Sequence, residues 1–338
     1  MYMVSLKDIA SRCKVSVATV SKALNDHNDV GAATKEMIRS TAREMGYFPN
    51  SSARALKTNR TYNIGVLFVD EAQSGLTHDY FAHVLDSFKK TVEAGGYDIT
   101  FINSTHNKHM SYLEHSHYRG VDGVVIACVD FYDPQVMELI HSDLPVVTID
   151  HVFDYRIAVL SDNIQGMHDL VEYVYSKGHR KIAYIAGDDT SVTKNRLGSF
   201  YRSLEKKGVE VPDEYVIQAS YRHPDMAYEH TQELLKLQDC PTCILYSDDY
   251  SAIGGINAIN DAGLSIPGDI SIAGYDGSYI SQIISPKLTT IKQDTESIGR
   301  VAAEKLIHLI ENPKTTLIQR MLINGTLIEG DSVAEIES

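Results

Sequence analysis

The sequence predicts a small all-α helix-turn-helix domain followed by a much larger α/β domain built on parallel sheets, and three observations predict it. Between Leu6 and Leu24, apolar residues fall in two short sets at helical spacing. From Asn63 onward, apolar runs of strand length alternate with helical stretches. Charge divides the chain at the same place. Residues 1–60 carry ten Lys/Arg against five Asp/Glu, a net of +5, and the remainder of the 338 residues carries the −19 that brings the total to −14. A basic head on an acidic body can present one face to phosphates while the body is repelled from them.

The first helix is read from Leu6, Ile9, Ala10 and Cys13, and the second from Val17, Val20 and Leu24. Lys14-Val15-Ser16 separates them, and the Ser16 hydroxyl suits an N-cap. Two short helices joined by a tight turn can offer Val17, Ala18, Ser21 and Lys22 to a DNA groove, although spacing alone fits any small helical bundle equally. A third helix over Ala33 to Met45 carries Met37, Ile38, Ala42 and Met45 on one face, with Lys35, Arg39 and Arg43 off it. Gly46 suits its C′ position and Pro49 prevents continuation. Residues 50–58 are mostly polar with helix formers in the middle, too brief for a stable helix in water unless packed on something.

In the body, strands are read at 64–69, 97–102, 123–129, 145–149, 181–186, 243–246 and 270–274. Helices are read near 81–94, 134–141, 166–176, 195–207, 224–237, 251–262 and 297–310. Sheets of this kind place ligand sites beyond the C-terminal ends of their strands. Those ends read Asp70, Asn103, Asp150, Asp188-Asp189, Asp248-Asp249 and Asp276. Converging carboxylates suit a ligand rich in hydroxyl donors, while any single one could equally be a turn former or helix cap.

Composition is that of an ordinary globular protein, with 43% hydrophobic and 22% charged residues. There is no run of 18 apolar residues and no apolar segment at the N-terminus, so a cytoplasmic protein without membrane contact is expected. Cys240-Pro-Thr-Cys243 has the spacing of a redox or zinc motif, but no second such pair accompanies it and Cys243 opens the apolar run CILYS. A structural role is therefore expected. His106, His109, His115 and His117 cluster without a carboxylate frame, and no metal or other cofactor is expected. The phosphate-binding patterns of kinases and dehydrogenases are absent, so no enzymatic activity is expected.

The runs SLKDIASRCKVSVATVSKALN and GYFPNSSARALKTNRTYNIGVL, with GYD at 274–276 and LTTIKQD at 288–294, resemble the lactose-repressor (LacI/GalR) family of bacterial transcription regulators over roughly residues 5 to 330. The resemblance implies a helix-turn-helix domain at 1–49, a hinge helix at 50–60, and a periplasmic-binding-protein-like effector and dimerisation domain at 61–330. Within the last, subdomain N takes about 61–160 plus 292–322, and subdomain C about 162–290 plus 325–330, with crossings near Ser161, Lys292 and Asn324. Residues 331–338 form a short acidic tail that cannot hold a tetramerising coiled coil, so a homodimer is expected.

The resemblance also carries residues. Operator DNA would be met by Ser16, Val17, Ala18, Thr19, Ser21, Lys22 and Asn25, and by Asn50, Ser51, Ala53 and the wedge residue Leu56 of the hinge. A small-molecule effector, most naturally a sugar, would be held by Asp70, Tyr80, Phe81, Asp150, Arg196, Asp248, Asp276 and Gln293. Arg196 heads RLGSF, a shortened form of the family's R-x-x-G-F pattern. Other departures are Lys14 where a glycine is usual, Gly31 in place of a Ser or Thr cap, Lys22 in place of a common arginine, and the absence of tryptophan. The implied function is a repressor of carbohydrate-utilisation genes under effector control. A catabolite-control regulator using a phosphocarrier protein and a purine-responsive repressor remain open alternatives. A solute-binding protein fits the body but not the basic head.

Overall fold

A computed structural model describes residues 4–48, 60–69, 75–103 and 110–337. The chain divides into two compact units, Met1–Thr61 and Tyr62–Ser338.

The head is three helices around a small core. Helix α1 (Leu6–Cys13) opens with a capping box, in which the Ser5 amide donates to the Asp8 carboxylate at 2.8 Å and the Ser5 hydroxyl accepts from the Asp8 amide. It ends at Lys14, whose φ of 54° is the left-handed turn that glycine would take more easily. Helix α2 (Val17–Leu24) starts where Ser16 accepts from the Thr19 amide at 3.0 Å. Helix α3 (Ala32–Glu44) begins at Gly31 with no side-chain cap. Ile9, Ala10, Val20, Ala23, Val30, Ile38 and Ala42 form the core. Two residues read as apolar-face members leave it: Met37 and Val17 are each 44% exposed. Met37 is one position off the 38, 42, 45 stripe, and Val17 sits in the first turn of α2, away from Val20 and Ala23.

The body consists of two parallel sheets. The first joins β1 (Asn63–Phe68), β2 (Asp98–Ile102), β3 (Gly123–Ala127), β4 (Val146–Ile149), β5 (Ile157–Ser161) and β11 (Arg320–Ile323) in the order β11-β5-β4-β3-β1-β2. The second joins β6 (Ile182–Ala186), β7 (Val216–Gln218), β8 (Cys243–Tyr246), β9 (Ser271–Asp276), β10 (Thr289–Lys292) and β12 (Thr326–Ile328) in the order β12-β10-β9-β8-β6-β7. Every pairing described is parallel except β10 with β12. The chain passes from the first sheet to the second after Ser161, returns after Lys292, and crosses again between Ile323 and Thr326.

Helices cover the sheets: α4 (Asp79–Ala94), α5 (Tyr112–Arg119), α6 (Pro134–His141) and α12 (Thr295–Glu311) on the first, and α7 (Asn163–Ser176), α8 (Ser191–Glu205), α9 (Pro224–Leu235), α10 (Asp249–Asp261) and the short α11 (Tyr279–Ile283) on the second. Strand interiors such as 123–127 and 182–186 are buried throughout, which is why they read as unbroken apolar runs. Helices α12 and α4 approach closely at Gly299, where an added Cβ would lie 2.2 Å from the Val84 carbonyl oxygen.

The residues read as an acidic tail are largely docked. Ser332 is buried, donates to the Ile272 carbonyl at 2.7 Å and accepts from the Thr289 amide at 2.9 Å. Ile336 N donates to Lys177 O at 2.8 Å. Buried His179 donates through Nε2 to the Ala334 carbonyl at 3.1 Å. The segment through Ile336 therefore straps the underside of the second sheet.

Candidate functional site

Two surfaces carry the predicted residues. On the head, Ser16, Val17, Ala18, Lys22 and Asn25 are exposed, and Thr19 and Ser21 are half-buried. Val20 and Ala23 point into the core and fix the face that α2 shows to solvent. Lys22 is ion-paired with Asp29, and because both are exposed the pair is easily exchanged for a phosphate or base. Asp26 joins Lys35 and Arg39 at 2.9 Å each, tying the α2–α3 turn to α3. Asn50, Ser51, Ala53 and Leu56 lie outside the described residues.

On the body, a cavity of about 460 Å³ lies between the two halves at the strand ends. Tyr80, Phe81, Asp150, Arg196, Asp248, Asp276 and Gln293 all line it. Asp70 lies outside the described residues. Asp150 follows β4 and Asp276 ends β9, while Arg196 projects from α8 and Tyr80 from the first turn of α4. Sheet topology thus gathers residues that are far apart in the chain.

Arg196 is the most constrained of them. It is 2% exposed, donates through Nε to Asn163 Oδ1 at 2.7 Å and through Nη1 to the Ser247 carbonyl at 2.8 Å. Its guanidinium lies 3.5 Å above the centre of the Tyr275 ring and 5.8 Å from that of Tyr221. Burial opposes the charge, but Tyr221, Tyr275 and Asp276 outweigh it, so the group stays protonated. Asp276 shares this pocket without forming an ion pair to Arg196. Its Oδ1 accepts from Gln293 Nε2 at 2.6 Å, and burial pushes its pKa well above the usual carboxylate range. A ligand hydroxyl between the two could donate to Asp276 and accept from Arg196.

Asp150 faces them from the other half. It accepts from the Tyr80 hydroxyl at 2.6 Å and from the Ser161 amide at 3.2 Å, and burial raises its pKa. Phe81 packs edge-on against Tyr80, Phe68 and His78, with its nearest ring centre at 4.8 Å. Asp248 differs from the rest. It accepts from Ser251 N at 2.8 Å, Ser251 Oγ at 2.7 Å, Ser247 Oγ at 3.0 Å and Arg222 N at 3.0 Å. Those four bonds use a carboxylate's ordinary accepting capacity, so Asp248 builds the wall rather than greeting a ligand. Its neighbour Asp249 accepts from Thr290 Oγ1 at 2.6 Å and from Ser278 N at 2.7 Å, and so holds the loop after Asp276. Burial pushes Asp249 up to about 7.

Backbone strain gathers here too. Cys128, Asp150, Arg222 and Asp276 all line the cavity with φ of 53°, 60°, 57° and 102°. Strained non-glycine residues persist where the surrounding structure over-determines them, commonly at binding sites.

Several lining residues carried no sequence signal. Asn163 reads as an ordinary residue at the start of a helix, yet it orients Arg196. Phe131, Tyr132, His151, Tyr221 and Arg222 lie in loops after strands, where only the folded chain aims them at the cavity. Periodicity cannot see such positions, although aromatic residues just after a strand end were a usable hint.

The cysteine pair and the histidine cluster lie away from the cavity or outside the described residues. Cys240 and Cys243 are free thiols, half-buried and buried respectively, and burial raises the pKa of both. His115 is buried and accepts from the Asn103 amide at 3.0 Å, while His106 and His109 lie outside the described residues. Among the described residues, no group of three His, Cys, Asp or Glu is placed to hold a metal, and no helix is long and apolar enough to cross a membrane.

Comparison with known proteins follows the same division. Residues 5–50 match the model of bacterial regulatory proteins, lacI family, and residues 171–333 match that of a periplasmic binding protein-like domain. The chain is 30% identical to the HTH-type transcriptional repressor PurR of Klebsiella pneumoniae, over 98% of each chain. A crystal structure of the lac repressor dimer bound to operator and the anti-inducer ONPF superimposes with a TM-score of 0.81 at 24% identity, covering 98% of this chain and 100% of that one. A LacI family transcriptional regulator from Enterococcus faecium with bound ribose superimposes with a TM-score of 0.70 at 25% identity, covering 81% of this chain and 100% of that one.

Proposed function

The chain belongs to the lacI family of bacterial regulatory proteins, a family of DNA-binding regulators rather than enzymes, and on that footing we propose that it is a homodimeric repressor of carbohydrate-utilisation genes released or recruited by a sugar. It works in the cytoplasm, where its operator lies. Exposed α2 residues enter the major groove of each half-site, with Val17 and Ala18 suited to thymine methyl groups and Lys22 to guanine or phosphate.

The observation that carries the effector assignment is the convergence of Arg196, Asp276, Gln293 and Asp150 on one cavity between two halves of the body. Acceptors outnumber cations there, as recognition of a polyhydroxylated neutral molecule requires. The ribose held by the Enterococcus faecium relative supports this class of ligand. A ligand that touches both halves stabilises their closed arrangement by its differential affinity for that state. Ligand and operator affinities are then coupled.

The test is fluorescence anisotropy of labelled DNA from the region flanking this protein's own gene. Specific binding is expected, falling with salt with a log–log slope near −0.9 per phosphate neutralised. Addition of the cognate sugar is expected to change the affinity severalfold. Salt-independent binding, or an affinity that no carbohydrate alters, contradicts the proposal.

A further inference from the structure

The cavity runs from a buried end to an exposed one. The inner end is formed by buried residues, Tyr80, Asn163, Arg196 and Gln293 among them. The outer end is formed by exposed ones, Asp130, Tyr132, Asp188 and Asp189. The lining also holds an aromatic platform. Phe131 and His151 stack with ring centres 4.2 Å apart and planes 10° from parallel. Phe153 backs His151 at 4.7 Å, and Tyr132 stands edge-on to it at 6.2 Å. Phe131 and Phe153 also pack against the core beneath β3 and β4, so the platform is held by the fold rather than by a free loop.

Size points the same way. A single hexose displaces about six waters, roughly 180 Å³ at about 30 Å³ per water. The cavity, at about 460 Å³, has room for two such rings with water to spare. One ring at the Arg196 end would leave the platform unused.

We propose that the cleft has two subsites and takes a neutral glycoside of two rings, one hydrogen-bonded at the Arg196–Asp276 end and the other stacked on the Phe131–His151 pair. This rests on the sugar reading above and narrows it. The apolar face of a pyranose packs on an aromatic ring while its equatorial hydroxyls reach sideways, and the rim supplies acceptors for them in Asp130 and Asp188. Burial holds the His151 pKa below its ordinary value, so at neutral pH the ring stacks as an uncharged aromatic. The rim also discriminates by charge. Lys194 pairs with Asp189 at 2.9 Å and the Arg222 guanidinium lies 4.7 Å from the centre of the Tyr250 ring, while Asp130 and Asp188 line the rim. A phosphorylated sugar would bring a dianion against those carboxylates.

Isothermal titration of the full chain tests this with glucose, galactose, fructose and ribose, then cellobiose, maltose, lactose, sucrose, trehalose and melibiose, then glucose 6-phosphate, hypoxanthine and guanine. One disaccharide is expected to bind at least about tenfold more tightly than either component sugar, and the phosphate ester not at all. Tyr132→Ala and Phe131→Ala should each lower the ratio of disaccharide to monosaccharide affinity by about three- to tenfold. Tyr132 is 77% exposed, so its variant keeps the fold even if the Phe131 variant does not. A monosaccharide that binds as tightly as every disaccharide, or a ratio unmoved in Tyr132→Ala, overturns the two-subsite proposal and leaves the sugar reading standing. Binding of a purine base with no sugar bound overturns both.

Discussion

In the head, Val17 is 44% exposed and Ser16, Ala18 and Lys22 stand in solvent around it; in the body, Arg196 is 2% exposed and held by two hydrogen bonds and a tyrosine face. The head spends seven buried apolar residues on a core and shows Ser16, Val17, Ala18 and Lys22 outward. The body encloses Arg196, Asp150 and Asp276 in a low-dielectric cleft, where burial raises the pKa of both carboxyls. On the proposed function, the difference follows from the partners. DNA brings its own charge and a wide groove to an exposed helix, so affinity comes from many screened contacts. A small neutral ligand offers only a few hydrogen bonds, which become strong and selective only in a buried, preorganised site.

That contrast predicts where substitutions act. Arg196→Ala should weaken effector binding by roughly 3 kcal/mol or more, a factor above 100, because it removes a buried charged donor from the cleft and leaves Asn163 Oδ1 without its partner. Operator affinity without effector should hardly change, and parallel calorimetry and anisotropy would check both. Val20→Ala should remove about 2 kcal/mol from the head by leaving a cavity in its core. Operator binding should fall while effector affinity of the body stays at the wild-type value. Equal losses in both measurements would erase the contrast.

Asp249 gives a pH signature confined to the body. A carboxyl whose pKa is raised on folding holds its proton more tightly in the folded chain. Its contribution is full below the unfolded value of 3.8 and is lost as pH rises through about 7. Between pH 6.5 and 8.5 the body should lose about 1 kcal/mol of stability from this group, and Asp249→Asn should flatten the corresponding fall in melting temperature. The smallest effect is expected for Lys22→Ala. Operator affinity should drop by about 1 kcal/mol and the salt slope by about one, since removing the lysine also frees Asp29 beside the DNA.

Much of this contrast was legible before folding was considered. The head could be read because Ser16, Lys14 and the spacing of Ile9, Ala10 and Val20 are local signals whose consequences are local. The long central strands could be read because burial on both faces makes them continuously apolar. Strands β5, β7, β10 and β11 and helix α11 carry no clear periodic signal, since they are short and their stability comes from neighbours. The cleft was legible in outline, because strand ends marked Asp150, Asp248 and Asp276 and the family resemblance pointed to Arg196 and Gln293. Sequence could not separate Asp248, whose four hydrogen bonds make it a cap, from Asp276, whose carboxyl accepts from Gln293 and lines the cavity. Nor could it place Asn163 against Arg196, or strap the last residues under the second sheet, because those contacts join segments far apart in the chain.

The central claim is that the buried cleft and the exposed helix are thermodynamically linked, and reciprocity tests it most directly. Effector affinity of the full chain should be measured twice, once free and once saturated with operator, beside operator affinity with and without effector. The two ratios should agree, each lying between about 5 and 150. Effector affinity that is identical on and off the operator would contradict the account.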